Sequence, residues 1–207
     1  MTKYVDPSYF KKLLELQPEK VCKRAPCQYE KDTNRYVVNI WGDDYAIYPE
    51  TFTIEQINKT TYHPHDFFYL FIIYYLLNVK NIAIAQVWIS EKDMPGGSTF
   101  FRGPHVIPTN LIVDTYKNNI HLFKKSCEQL GGERMNQADA AFIFKVTPKI
   151  PIAILYWEGD EDFSPEAKIL FDKSITHHLT LDIIFSLAVE ICTRIAQYST
   201  VTKDFIK

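Results

Sequence analysis

Tyr36-Val37-Val38-Asn39-Ile40-Trp41, then Gly42-Asp43-Asp44, then Tyr45-Ala46-Ile47-Tyr48 reads as strand, turn, strand. β-Branched and aromatic residues suit a pleated, half-buried surface, and a glycine followed by two acids is turn chemistry. The same pattern returns at 140–146 and 152–157, joined by Thr147-Pro148-Lys149-Ile150-Pro151. The stretch 82–89 is apolar and partly β-branched, which predicts a further strand. The chain therefore carries a sheet, and what lies between these segments is helical.

Tyr9, Phe10, Leu13, Leu14 and Leu16 recur near helical spacing over 7–17, with Pro18 as the stop. The apolar run 67–77 predicts a buried helix, capped by Asp66 and closed at Asn78 or Asn81. Leu111, Ile112, Tyr116, Ile120, Phe123, Cys127 and Leu130 predict one helix over 109–130, ended by Gly131-Gly132. A short helix is expected from Pro165 with Ser164 as its cap, and a last one over 181–198 with Thr180 as its cap. No repeat, linker or low-complexity tract interrupts the 207 residues. The fold class is α+β: a mixed or antiparallel sheet packed against several helices, in a single globular domain over 1–207.

Composition narrows the function classes. A net charge of -2 and a pI near 6.3 give no general attraction to nucleic acid or to an anionic membrane. The longest apolar run, eleven residues at 67–77, is well short of the roughly 18 to 20 a bilayer span needs. The start Met1-Thr2-Lys3-Tyr4-Val5-Asp6-Pro7 meets an acid and a proline before any apolar run, so a cytoplasmic location is expected. With no export signal, Cys22, Cys27, Cys127 and Cys192 are expected as reduced thiols, and only Cys22 and Cys27 are near in sequence.

Polar chemistry is densest after the 152–157 strand. Glu158, Asp160, Glu161, Asp162, Glu166, Asp172 and Asp182 stand against Lys168 and Lys173, with His177 and His178 among them. Such crowding is relieved by solvent and helix-end chemistry, by raised carboxyl pKa values, or by a divalent cation held by Asp160, Asp162 and Asp172. Adjacent side chains diverge, so only one of His177 and His178 faces any one site. His63 and His65 flank Pro64 and read as loop surface or cap chemistry. The loop Asp93-Met94-Pro95-Gly96-Gly97-Ser98-Thr99-Phe100-Phe101-Arg102-Gly103 has the glycines of a functional turn or lid, with Arg102 as a charge partner for an anion. It lacks the lysine and following helix of a P-loop. No dinucleotide fingerprint, EF-hand loop or G-x-S-x-G setting occurs.

The run Leu155-Tyr156-Trp157-Glu158-Gly159-Asp160-Glu161-Asp162-Phe163-Ser164-Pro165-Glu166-Ala167-Lys168-Ile169-Leu170-Phe171-Asp172 resembles the strongest motif of an uncharacterised family of mainly anaerobic bacteria and archaea, known only as a domain of unknown function. Tyr75-Leu76-Leu77, Trp88-Ile89-Ser90, Met94-Pro95-Gly96-Gly97, Leu130-Gly131-Gly132 and Pro148-Lys149-Ile150-Pro151 agree in order. The resemblance implies a prokaryotic protein with a role near anaerobic redox or one-carbon metabolism. Some members carry an iron-sulfur N-terminal segment, and this chain has no such cysteine-rich stretch. The resemblance transfers no catalytic residue.

Two readings follow. The first is an accessory module that binds a small molecule or a protein partner, with Trp88, Gly96, Gly97, Arg102, Trp157, Asp160, Asp172 and His177 as binding candidates and the glycine turn folding over a cleft near both tryptophans. The second is an enzyme, a metal-assisted hydrolase or proton-transfer catalyst built on the 158–178 acids and a histidine.

Overall fold

The computed structural model describes residues 2–58 and 62–203, with 199–203 as backbone only. Asp6 caps the first helix, α1 (Pro7–Leu14), by accepting from Ser8 N–H at 2.7 Å. Pro18, expected as a stop, instead opens α2 (Pro18–Arg24) from its first position, where the missing N–H costs nothing. The chain then builds a four-stranded antiparallel sheet in sequence order: β1 (Cys27–Glu30), β2 (Arg35–Ile40), β3 (Asp43–Tyr48) and β4 (Thr53–Gln56). The β2–β3 turn is Trp41-Gly42, with φ of 49° and 82°, one position earlier than Gly42-Asp43-Asp44. Two positive φ values in a two-residue turn match the twist of the flanking strands. Trp41 tolerates this because its surroundings hold it: its N–H donates to the Val146 carbonyl at 2.8 Å, its indole to the Leu130 carbonyl at 3.1 Å, and its ring lies 5.1 Å from that of Phe144.

The apolar run forms α3 (Phe68–Asn78), with Phe68, Phe71, Ile72, Ile73, Tyr75 and Leu76 buried. Asp66 makes no cap and stays exposed; His65 takes that part instead, through its Nδ1 to Phe67 N–H at 3.3 Å and its carbonyl to Phe68 N–H at 2.8 Å. The expected strand over 82–89 shrinks to β5 (Trp88–Ile89), and 82–87 runs exposed and irregular. The Asp172 carboxylate takes the N–H groups of Ala85 and Gln86, so these amides point away from a sheet ladder.

A one-turn helix, α4 (Gly97–Phe100), follows the glycine turn. The expected single helix over 109–130 is two, α5 (Asn110–Tyr116) and α6 (Ile120–Gln129). The break at Lys117 has φ 49° and is held by tertiary bonds: its carbonyl accepts from the Tyr156 hydroxyl, the Tyr116 hydroxyl donates to the Ile195 carbonyl, and Asn119 caps α6 through Leu122 N–H. Amphipathic spacing alone cannot register such a break.

The second sheet is also antiparallel, in the order β5-β9-β8-β7-β6, with β6 (Glu133–Met135), β7 (Ala140–Thr147), β8 (Ile150–Trp157) and β9 (Glu166–Asp172). The helix expected from Pro165 is therefore strand β9, paired with β8 from Trp157↔Glu166 to Ile152↔Phe171. Ala167, Ile169 and Phe171 alternate inward at period two, and a free sheet edge decides a segment whose composition also suits a helix. After the short α7 (Ile175–His178), the chain ends in α8 (Leu181–Lys203). α3 and α8 pack together; α1 and α2 lean on α3, and α5 and α6 on α8. One buried cluster runs from Val5 to Ile195 through both sheets and these helices. Among the described residues no helix is long and apolar enough to cross a membrane.

Candidate functional site

β9 separates the acids that the sequence groups together. Before it, in the exposed turn that follows β8, Asp160 accepts from Asp162 N–H at 2.9 Å and Phe163 N–H at 2.8 Å, so its carboxylate shapes its own turn. Gly159 is required there, because a Cβ would stand 2.7 Å from Pro165 and 2.8 Å from the Phe163 carbonyl. At the far end of β9, Asp172 is buried and accepts from Ala85 N–H, Gln86 N–H, Ser174 N–H and the Ser174 hydroxyl, at 2.6 to 2.9 Å. Burial works to raise its pKa, but these donors outweigh burial and hold the carboxyl below the ordinary range. Seven strand residues put the two ends about 20 Å apart. Asp160, Asp162 and Asp172 thus do not converge, and among the described residues no group of three or more His, Cys, Asp or Glu side chains is arranged to hold a metal.

The tryptophans are separated in the same way. Trp88 pairs opposite Asp172 and Trp157 opposite Glu166. Both rings sit half-buried on the outward face of the second sheet with Leu155, Leu170, Ile143 and Met135, and the Lys168 ammonium lies 5.5 Å from the Trp157 ring. That face lies across the sheet from the large core, and neither tryptophan is among the residues that line the cleft beside the glycine turn.

What the glycine turn meets instead is the start of α8. Gly96 has φ 77°, and its missing Cβ would lie 3.6 Å from Leu181; a Cβ on Gly97 would fall 1.9 Å from the Glu91 carbonyl oxygen. The turn, α4 and the α7–α8 junction flank an open cleft of about 630 Å³ lined by Pro95, Phe100, Leu179, Leu181, His177 and Asp182, with Thr176 and Thr180. Phe100 stacks on His105 at 4.5 Å and 14°, and His105 meets Phe185 edge-on at 5.3 Å, which stiffens one wall. Asp182 stands close enough to Tyr9 that, after burial, its charge is the next influence raising the Tyr9 hydroxyl. Of the sequence candidates, His177 lies in this lining; Gly96 sits beside Leu181, Gly97 packs against the Glu91 carbonyl and Met94, and Arg102 is exposed on the same loop, all three outside the lining. Phe100 and Leu181 join His177 there, backed by His105 and Phe185, with no motif in the sequence to announce it. A second depression of about 320 Å³ is lined mainly by the polar loop 136–139 and the strands beside it, and has no comparable aromatic wall.

Two further clusters lie outside the cleft. Glu190 of α8 is fully buried, accepting from the Tyr62 hydroxyl at 2.7 Å and from His65 N–H at 2.8 Å. Burial pushes its carboxyl up to about 7, against the pull of those donors and of Arg194. Arg194, one turn on, pairs with Asp43 at 2.9 Å, donates to the Trp41 carbonyl and lies over the Trp41 and Tyr62 rings at 4.6 and 5.0 Å. This network pins the first-sheet hairpin to the last helix. The second cluster is Cys22 on α2 and Cys27 at the head of β1, where the Cys27 thiol donates to the Cys22 sulfur at 3.3 Å.

A family model described as Domain of unknown function (DUF3786) matches residues 17–194. The chain belongs to this family. The DUF3786 region contains the cleft, the Glu190–Arg194 network and the cysteine pair alike. No curated protein and no solved structure matches significantly.

Proposed function

We propose that this DUF3786 protein is a small-ligand-binding accessory module whose ligand occupies the cleft between the glycine turn and the start of α8. The observation that carries this reading is the meeting of an apolar wall, Phe100, Leu179 and Leu181, with two polar side chains, His177 and Asp182, in the lining of one cleft of about 630 Å³. Binding sites combine apolar walls with few oriented polar groups. A carboxylate beside an aromatic ring suits a ligand with a flat apolar body and a cationic or donor group. The sequence resemblance is in keeping with an accessory role near anaerobic redox or one-carbon metabolism. The alternative of a metal-assisted hydrolase draws on acids that this fold spreads along β9.

Titration with an aromatic amine such as tyramine, followed through the ring-proton signals of His177, tests the reading. A saturable shift that disappears in Leu181→Arg is expected. An unmoved His177 signal at millimolar tyramine would remove it.

A further inference from the structure

Cys22 and Cys27 are brought together by the joint between α2 and β1. α2 ends at Arg24, and the chain passes through Ala25 and Pro26 directly into β1, so the helix and the strand meet with their sulfurs 3.3 Å apart. A disulfide bond is about 2.05 Å long. Closing the gap takes a movement on the order of 1 Å, shared between the end of a seven-residue helix and a strand that is paired on one side alone. The other two thiols, Cys127 and Cys192, are fully buried, whereas Cys22 and Cys27 are partly exposed. An oxidant in solution therefore meets this pair first.

We propose that Cys22 and Cys27 form a redox-modification site that closes to an intramolecular disulfide by exchange with a small-molecule disulfide. The hydrogen bond orders the steps. The Cys27 thiol is turned toward the Cys22 sulfur, which leaves Cys22 as the sulfur that meets the external disulfide first. Burial, then the bond to Cys22, raise the Cys27 thiol well above its ordinary range, and it rests protonated as the second, resolving thiol. The Cys22 thiolate attacks one sulfur of the external disulfide; that S–S bond breaks, and the departing thiolate takes up a proton. Cys27 then gives its proton to solvent and attacks the Cys22 sulfur of the mixed disulfide, releasing the second small thiol. Two protein thiols are oxidised, one external disulfide is reduced to two thiols, and no other reactant is needed. The closed bond would join α2 to β1 just where Arg24 donates to the Leu76 carbonyl at 2.9 Å and caps the end of α3, so the modification reads out on the α2–α3 contact.

The test uses the full chain, purified reduced and then held in excess glutathione disulfide. Free thiols counted after denaturation should fall from four to two and return to four with dithiothreitol. Tryptic digestion should yield peptide 21–23 joined to peptide 25–31, lighter by two hydrogens than the sum of the free peptides. The thermal midpoint of the oxidised chain should rise by roughly 4 to 8 °C. In Cys27→Ser, lacking the resolving thiol, glutathione should stay attached at Cys22. Four thiols remaining in the wild-type chain, or glutathione left on it as a stable adduct, would overturn the proposal.

Discussion

The hydroxyl of Tyr62 donates to Glu190 Oε1 at 2.7 Å, across 128 positions of sequence, and helps to hold a carboxyl in the interior. The pocket around Glu190 is polar enough to orient the group and too dry to leave it charged with ease, which is why its pKa is pushed up to about 7.

This sets a pH dependence with an opposing partner. Glu190 has a folded pKa of about 7 against 4.5 unfolded, so its contribution to stability is complete below about 4.5 and is lost as pH rises through about 7. His178 is the reverse: buried, with Lys149, His177 and Lys80 nearby, it is held down at about 4 against 6.5. Its contribution is complete above about 6.5 and is lost as pH falls through about 4. The Glu190 shift corresponds to ~3 kcal/mol, and that of His178, less deeply enclosed, to less than this. Urea titrations of the wild-type chain between pH 4.5 and 6.5 should be nearly level. Glu190→Gln should become more stable as pH rises, and His178→Gln less stable; parallel profiles for the two variants would contradict these assignments.

Gly97 is required for packing before it is required for anything else. With a Cβ placed 1.9 Å from the Glu91 carbonyl, Gly97→Val forces the turn open and should lower stability by more than about 3 kcal/mol in chemical denaturation. Gly96→Ala would make an ordinary van der Waals contact with Leu181 but keeps φ 77°, and should cost about 1 kcal/mol.

Two of the three aspartates grouped as cation ligands from sequence, Asp160 and Asp172, should behave oppositely. Asp172→Asn leaves an amide N–H₂ facing buried donors and should cost about 2 to 4 kcal/mol, whereas exposed Asp160→Asn should change stability by under about 1 kcal/mol. The contribution of Asp172, whose folded pKa is lowered, is present above pH 3.8 and fades as pH falls below it. Because the residues stand at opposite ends of β9, the double variant should show the sum of the two effects. Thermal midpoints unchanged by calcium, magnesium or manganese would agree with their separation.

Neighbouring rings at the end of β8 differ by face. Tyr156 points into the core, stacked on Phe123 at 4.6 Å, and Tyr156→Ala should cost about 3 to 5 kcal/mol. Trp157 points to the outward face and is half-buried, so Trp157→Ala should cost about 1 to 2 kcal/mol. Equal losses in guanidinium titrations would mean that the outward face is as closed as the core.

Local chemistry that repeats at a short period is legible in the amino-acid order by itself. β-Branched and aromatic runs over 36–48, 140–146 and 152–157, the apolar 67–77 run and the spacing of the last helix each state their element, and together they specify an α+β chain with a buried helix. A hydrophobic period reports which side of a segment seeks cover, a property carried within a few residues. Whether Glu166-Ala167-Lys168-Ile169-Leu170-Phe171-Asp172 becomes helix or strand depends on the open edge of β8, and the break at Lys117 depends on a hydroxyl from Tyr156; both partners are distant in sequence. The candidate site divides in the same way. The glycine pair and His177 announce themselves as turn and polar residues, but the cleft exists because α8 begins beside a loop more than 80 positions earlier in the chain. Glu190 and Arg194 look like two charges on an amphipathic helix; only packing reveals that their face turns inward against Tyr62, His65 and Asp43, where burial converts an ordinary carboxyl into one that titrates near neutrality.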